Sequence, residues 1–171
     1  REINLHPNAP TEASWNYNNS ANLYSSPKQE KALIRIGAIP GNWRLPKYAP
    51  HKIDSVSLAD YRGKIVVMDF WIKSCGPCIA SFPHLNELQK KYGTGKMQLI
   101  SINTEDKLSD TKFFHDKYGI DYSMCFGAGQ LALDYGIAAY PAIVILDKNG
   151  RVIFSGYGFD KGVINSIIAD N

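Results

Sequence analysis

Cys75 and Cys78 are separated by two residues, a spacing that lets two thiols close a small disulfide ring and cycle between dithiol and disulfide. The apolar run at 65–70 predicts a buried strand before the pair, and a helical pattern opens at Pro77. The first thiol therefore lies at a predicted helix N-terminus, where free N–H groups and the positive end of the helix dipole favour a thiolate. We expect Cys75 to be the nucleophile of disulfide exchange and Cys78 to be the resolving thiol.

Two other interpretations of the cysteine pair remain open. Two close cysteines can be half of a zinc site, but such a site needs two further ligands at suitable spacing. The other candidates, Cys125 and four scattered histidines, form no second close pair. The pair can also be a structural disulfide, although so small a ring constrains little of the unfolded chain. Redox chemistry fits the pattern best, and no metal or organic cofactor is expected.

Composition and charge narrow the classes of function. The 171 residues are enough for one domain with a proper core, and 44% of them are hydrophobic. A net charge of +3 without a basic run gives no support for nucleic-acid binding. No apolar stretch approaches the length of a membrane span. Because the chain begins at Arg1 rather than Met, we interpret it as a processed or truncated product that has lost any signal peptide or membrane anchor.

The segment around the cysteines resembles the active-site strand, turn and helix of thioredoxins, because Asp-Phe-Trp at 69–71 is followed by Cys-Gly-Pro-Cys at 75–78. The wider pattern resembles the TlpA/ResA branch of the thioredoxin superfamily, whose members are extracytoplasmic thiol-disulfide oxidoreductases. The match extends from about residue 36 to the C-terminus. It is carried by four further features: LADYRGK at 58–64, Phe82-Pro83 inside the helix, Tyr140-Pro141 before a late strand, and LDKNG at 146–150 after it.

This resemblance implies an α/β fold, namely a thioredoxin-like three-layer sandwich with a central mixed β-sheet and an N-terminal β-hairpin extension. The hairpin strands are expected at 43–45 and 55–58. Residues 36–171 would form this domain, and residues 1–35 would be an N-terminal extension or linker. The first 30 residues are rich in Asn, Ser, Pro and Ala, so they fit a flexible linker or an extension packed on the domain. Residues 28–36 fit a short helix or a strand.

The resemblance also implies roles for residues around the dithiol. In thioredoxins an acid at the place of Asp69 lies under the second cysteine, which motivates the hypothesis that Asp69 has a raised pKa and helps deprotonate Cys78. An Asp69 that faces water at the strand end is the alternative. A proline at the place of Pro141 is cis in the superfamily and exposes the preceding backbone to the substrate chain, which pairs with it as an added strand. An ordinary trans turn is the alternative. Substrate contacts are expected from Tyr140, Pro141, Gly76, Pro77 and Trp71.

The chain departs from the family pattern at two places. Ser74 stands where thioredoxins and many relatives have Trp, and Ser81 stands where the ResA branch has Glu. We therefore expect a changed partner preference and the absence of the acid specific to that branch. Lys73 is expected to be solvated rather than to lower the pKa of Cys75. Cys125 fits an inert buried thiol, with a regulatory or intermolecular role as the alternative.

The expected function is disulfide exchange with protein disulfide or dithiol substrates, with the protein as the reductant because Gly76-Pro77 resembles the reducing members of the superfamily. Electrons would arrive from another redox protein or a membrane donor. The expected location is the bacterial cell envelope, either periplasmic or membrane-anchored. Two other functions remain open, a thioredoxin-fold peroxidase and a non-catalytic binding or accessory domain of an envelope protein.

Overall fold

The structure is a computed structural model, and it describes residues 31–49, 52–93 and 95–171. The predictions for residues 1–30, a linker or a packed extension, lie outside the described residues. The helices and strands of the described ranges are β1 (Arg44–Ala49), β2 (Lys52–Ser57), β3 (Ile65–Trp71), α1 (Gly76–Tyr92), β4 (Met97–Asn103), α2 (Leu108–Tyr118), β5 (Ser123–Cys125), α3 (Gly129–Tyr135), β6 (Ala142–Leu146), β7 (Val152–Tyr157) and α4 (Lys161–Asp170). None of these helices is long and apolar enough to cross a membrane.

The strands form one mixed sheet in the order β2-β1-β5-β4-β3-β6-β7. Strand β3 is parallel to β4 and antiparallel to β6, and β4 is parallel to β5. Every residue of β3 is buried, as expected for a strand in the centre of a sheet covered on both faces. The predicted mixed sheet is therefore confirmed, and β3 ends where the dithiol turn begins.

The sheet separates two apolar cores, because successive side chains of a strand point to opposite faces. We call the first the α1-side core. It joins Ile65, Val67 and Trp71 of β3 to side chains of α1, α2 and α4. We call the second the α3-side core. It joins Val66, Met68 and Phe70 to α3 and to partly buried side chains of the segment 34–43.

The predicted N-terminal hairpin is confirmed, and its strands are longer than expected. The register runs unbroken from Arg44 opposite Ser57 to Ala49 opposite Lys52. Strand β1 also pairs with β5 in antiparallel fashion, so the hairpin extends the sheet at one edge. The added length follows from this pairing, since β1 lies between two strands rather than at an exposed edge.

Residues 31–43 cross the α3-side core without regular secondary structure, so the prediction of a helix or strand is wrong for residues 31–36. The segment is fastened through its backbone: the N–H of Ile34 donates to the carbonyl of Tyr135 at 2.8 Å, and the N–H of Gly37 donates to the carbonyl of Val152 at 2.8 Å. At Gly136 the φ angle is +66°, and a Cβ there would collide with the backbone of residues 31–32. The predicted division of the chain at residue 35 stays a prediction.

Candidate active site

A tight turn carries the chain from β3 into α1. The N–H of Cys75 donates to the carbonyl of Ile72 at 3.1 Å and closes this turn. Cys75 is the N-cap of α1, and its Sγ accepts the N–H of Cys78 at 3.2 Å. Pro77 occupies the first turn of the helix, where a missing N–H leaves no bond unmade. The sequence prediction of a cysteine at a helix N-terminus is confirmed.

The two cysteines form a disulfide, with their Cα atoms 5.3 Å apart. They differ in exposure: Cys78 has no exposed surface, whereas Cys75 is partly exposed. Gly76 and Pro77 between them are exposed. A partner can therefore reach one sulfur of the pair and not the other. Within the described ranges, no group of three or more side chains could hold a metal ion.

Asp69 lies within β3 on the face of the α1-side core, and it is fully buried. Its register neighbour Ser101 donates a hydrogen bond from Oγ to Asp69 Oδ2 at 3.2 Å, and Oδ1 has no partner among the described residues. Burial raises the pKa of Asp69 to about 7, and the bond from Ser101 opposes this shift in part. The alternative of a solvent-facing Asp69 is therefore wrong, and the raised pKa agrees with the hypothesis of a proton-transfer group.

Trp71 is fully buried at the end of β3. Its ring packs edge-on against Phe82, with centroids 5.1 Å apart, and against Phe114, with centroids 5.3 Å apart. Its carbonyl accepts the N–H of Thr104 at 3.2 Å. A side chain without exposed surface cannot touch a substrate at the surface, so we assign Trp71 to the support of the turn rather than to substrate binding.

The Tyr140-Pro141 peptide bond is cis, as the resemblance implied, and the alternative of a trans turn is wrong. Ala142 pairs with Phe70, so Pro141 lies one residue beyond the paired ladder, at the end of β3 from which the dithiol turn departs. The side chain of Tyr140 is half-buried. Its hydroxyl and the Thr104 hydroxyl lie 2.6 Å apart and share a hydrogen bond.

Sequence reasoning missed the residues that hold the dithiol turn from the other side. The backbone N–H of Lys73 donates to Asp106 Oδ2 at 2.6 Å. The Lys73 side chain is exposed, in line with the prediction that it is solvated, and its ammonium forms an ion pair with Asp110 at 3.2 Å. Asp106 follows Asn103 by three residues, a spacing typical of an Asx turn after a strand. No local pattern shows that a residue 33 positions earlier is its partner.

Ser81 and Cys125 lie on opposite faces of the sheet. Ser81 is buried in α1 and donates a hydrogen bond from Oγ to the carbonyl of Cys78 at 2.7 Å, so a hydroxyl occupies the place of the ResA-branch acid. Cys125 is fully buried in the α3-side core, and burial raises its pKa to about 12. Such a thiol stays protonated and inert at neutral pH, in line with the predicted structural role.

The fold and the dithiol match known proteins over most of the chain. Residues 44–169 match the Redoxin family. ResA, a thiol-disulfide oxidoreductase of Bacillus thuringiensis strain Al Hakam, is 29% identical over 132 residues, which are 77% of this chain and 75% of ResA. The crystal structure of a candidate thiol:disulfide interchange protein DsbE from Chlorobium tepidum aligns with a TM-score of 0.72 at 29% identity, over 80% of this chain and 97% of that one.

A third protein extends the agreement in fold. The exposed lipoprotein thioredoxin Etrx1 of Streptococcus pneumoniae strain TIGR4 aligns with a TM-score of 0.63 at 24% identity, over 77% of this chain and all of that one. The predicted thioredoxin-like fold is confirmed by these alignments together with the seven-stranded mixed sheet. The chain belongs to the Redoxin family, as a thiol-disulfide oxidoreductase similar to ResA and DsbE.

Proposed function

We propose that this protein reduces disulfides of partner proteins, with Cys75 as the nucleophile and Cys78 as the resolving thiol. One observation carries the assignment of roles: Cys75 is partly exposed at the start of α1, whereas Cys78 is fully buried one turn further on. The sulfur that attacks a partner must be reachable, and the sulfur that releases it needs to reach only its neighbour.

The reaction proceeds in two exchanges that balance. The Cys75 thiolate attacks one sulfur of the partner disulfide, a mixed disulfide forms, and the other partner sulfur leaves as a thiolate that takes a proton from water. The Cys78 thiolate then attacks Cys75 Sγ, the mixed disulfide breaks, and the partner leaves with both of its thiols reduced. Two electrons have passed to the partner, and the Cys75–Cys78 disulfide of the structure is the oxidised product.

Charge and proton positions assist these exchanges. The helix N-terminus and the N–H of Cys78 stabilise negative charge on Cys75 Sγ. We assign to Asp69 the acceptance of the proton that Cys78 loses before the second exchange. A buried carboxyl with a pKa of about 7 changes its protonation near neutral pH, which is what a general base of this kind requires.

The substrate chain would bind between two segments at the end of β3. Gly76 and Pro77 are exposed on one side of Cys75. On the other side, the register of β6 brings Tyr140 and Pro141 to the same end of the sheet. We propose that the partner adds an extended strand along the Tyr140 backbone, which would hold its disulfide in line with Cys75.

The direction of electron flow and the location are also proposals. Gly76-Pro77 between the cysteines supports a reductant, because this pair resembles that of the reducing members of the thioredoxin superfamily. Electrons would then come from a further redox protein or a membrane donor. The similarity to an exposed lipoprotein of S. pneumoniae supports a location outside the cytoplasm, in the cell envelope, with anchorage to the membrane as one form of it.

Insulin reduction with dithiothreitol as the electron source tests the proposal. The wild-type chain should accelerate insulin precipitation, and Cys75→Ser should fall to the uncatalysed rate. Cys78→Ser should instead hold partner proteins in mixed disulfides with Cys75, which non-reducing electrophoresis detects. Equal rates for wild type and Cys75→Ser would contradict the proposal and favour a binding module.

A further inference from the structure

A bracket of three residues joins the loop after β4 to the turn before Cys75. We call Asn103, Asp106 and Lys73 the Asp106 bracket. Asp106 Oδ2 accepts two hydrogen bonds, one from the backbone N–H of Lys73 at 2.6 Å and one from Asn103 Nδ2 at 2.7 Å. Asn103 Oδ1 in turn accepts the N–H of Asp106 at 2.7 Å. The two hydrogen bonds with Asn103 therefore orient the Asp106 carboxylate independently of its bond to the turn.

The bracket is built on the two central strands of the sheet. Asn103 is the last residue of β4, is fully buried, and pairs in register with Trp71 at the end of β3. The N–H of Thr104 donates to the carbonyl of Trp71, and the N–H of Ala128 donates to the carbonyl of Asn103, both at 3.2 Å. Strands β3 and β4 thus fix the position of Asp106 through Asn103. The bond from Asp106 to the Lys73 N–H then holds the turn that carries Cys75.

The negative charge of Asp106 lies next to the same turn, because its Oδ2 contacts the backbone N–H of Lys73. The ammonium of Lys73 is engaged by Asp110 at 3.2 Å. Among the described residues, no lysine or arginine forms an ion pair with Asp106. Asp106 therefore contributes negative charge two residues before Cys75, and a negative charge disfavours ionisation of a nearby thiol.

We propose that Asp106 is a positioning residue of the dithiol site, which fixes the turn before Cys75 through the Lys73 N–H and opposes ionisation of the Cys75 thiol by its charge. This inference rests on the proposed role of Cys75 as the nucleophile. A less stabilised thiolate makes the reduced dithiol a better electron donor, because a stabilised thiolate is what makes a dithiol protein an oxidant. The bracket would thus bias the site towards reduction.

Two substitutions separate the geometry from the charge. Asp106→Asn keeps an oxygen that accepts the Lys73 N–H and loses the charge, whereas Asp106→Ala loses both. The matched control is Asp116→Asn on α2, whose carboxylate is exposed and paired with Lys112 instead of the turn. Thermal melting of each purified full chain shows whether the fold is kept.

The first measurement is the pH dependence of Cys75 alkylation by iodoacetamide in the reduced protein, read by mass spectrometry of the Cys75 peptide. Both Asp106 variants should shift the midpoint down by about half a pH unit, and Asp116→Asn should leave it unchanged. If the midpoint stays at the wild-type value in both Asp106 variants, or moves equally in the control, the proposed effect of the charge is wrong.

Two further measurements test the positioning role. One is the rate of hydrogen exchange of the Lys73 N–H. The other is insulin reduction at a pH above all alkylation midpoints, where the Cys75 thiol is ionised in every variant. Asp106→Ala should speed exchange by about tenfold and slow reduction by about tenfold. Asp106→Asn should keep the exchange rate close to wild type and should slow reduction less than Asp106→Ala does, because it loses the charge and keeps the acceptor. If Asp106→Ala exchanges and reduces like wild type, the positioning role is wrong. Alkylation and exchange need no partner protein, so failure of this inference is distinct from failure of the proposed function, in which wild type itself would not reduce insulin.

Discussion

Cys78 and Cys125 are both fully buried, yet they lie on opposite faces of the sheet and in different surroundings. Cys78 is in the first turn of α1, bonded to a partly exposed sulfur. Cys125 ends β5 within the α3-side core, and its pKa is raised to about 12 by burial. Burial alone therefore does not decide whether a thiol is reactive. A helix N-terminus and a reachable partner sulfur make the difference.

The two cores also differ in whether their buried polar groups have hydrogen-bond partners. Within the described residues, four buried side-chain polar atoms have no hydrogen-bond partner: Asp69 Oδ1, Trp71 Nε1, Thr111 Oγ1 and Tyr122 Oη. Asp69, Trp71 and Tyr122 lie on the α1-side face, and Thr111 lies in α2, which packs against that face. In the α3-side core, by contrast, the Tyr135 hydroxyl accepts the Trp43 indole N–H at 3.1 Å. Because unpartnered buried polar groups cost stability, this cost falls on the face that carries the dithiol.

The largest expected effect compares the thiols of the two faces. Cys75→Ala should lower insulin reduction by at least about a hundredfold, to the uncatalysed rate, because no nucleophile remains. Cys125→Ala should keep the wild-type rate, since its thiol is protonated and inaccessible. A loss of activity in Cys125→Ala without loss of the folded state would show that the α3-side core takes part in the chemistry.

Asp69 should make the stability of the α1-side core depend on pH. Its pKa rises from 3.8 in the unfolded chain to about 7 in the fold, so between these values the folded state holds a proton that the unfolded state has lost. The free energy of unfolding therefore falls as the pH rises through this window. Asp69→Asn stays neutral throughout, so its gain over wild type should be roughly 2 to 4 kcal/mol larger at pH 8 than at pH 4. Urea denaturation at the two pH values measures this difference.

An exposed aspartate provides the control for this pH dependence. The hydrogen bond from Lys112 lowers the pKa of Asp116 on the surface of α2, so Asp116→Asn should lose a little stability above the acid range instead of gaining it. A gain in Asp69→Asn of equal size at pH 4 and pH 8 would mean that folding does not raise the pKa of Asp69.

Two buried tyrosines test the difference between polar groups with and without a hydrogen-bond partner, and the expected changes in the free energy of unfolding are smaller. Tyr135→Phe leaves the Trp43 N–H without its acceptor and should lower the free energy of unfolding by about 1 kcal/mol. Tyr122→Phe removes a buried hydroxyl that has no partner, so it should cost nothing or stabilise the fold slightly. Urea denaturation of both variants gives the comparison. A larger loss in Tyr122→Phe than in Tyr135→Phe would show that the Tyr122 hydroxyl has a partner in solution.

The parts of the site that the sequence predicted are those with a local signal. The Cys75–Cys78 spacing, the apolar strand before it and Pro77 in the first helical turn all lie within one short stretch. The cis bond before Pro141 was implied by resemblance to a family. The LDKNG pattern at 146–150, one of the features that carry the resemblance, lies at the turn between β6 and β7, where the Asp147 side chain accepts backbone N–H groups.

The parts that the sequence did not predict depend on contacts between distant segments. Asp106 meets the turn of Lys73 because β3 and β4 are adjacent and in register, and neither residue carries a pattern that shows this. Residues 28–36 were expected to form a short helix or a strand, yet residues 31–43 have no regular secondary structure and are held by backbone bonds to α3 and β7.

Selective alkylation tests the central claim most directly, namely that a partner can reach the sulfur of Cys75 and cannot reach that of Cys78. The fully reduced chain is treated briefly with iodoacetamide at pH 7, and the modified cysteines are mapped by mass spectrometry. The structure predicts that Cys75 is modified first, while Cys78 and Cys125 stay unmodified until the protein is unfolded. Modification of Cys78 as fast as Cys75, or of Cys125 before either, would contradict the account.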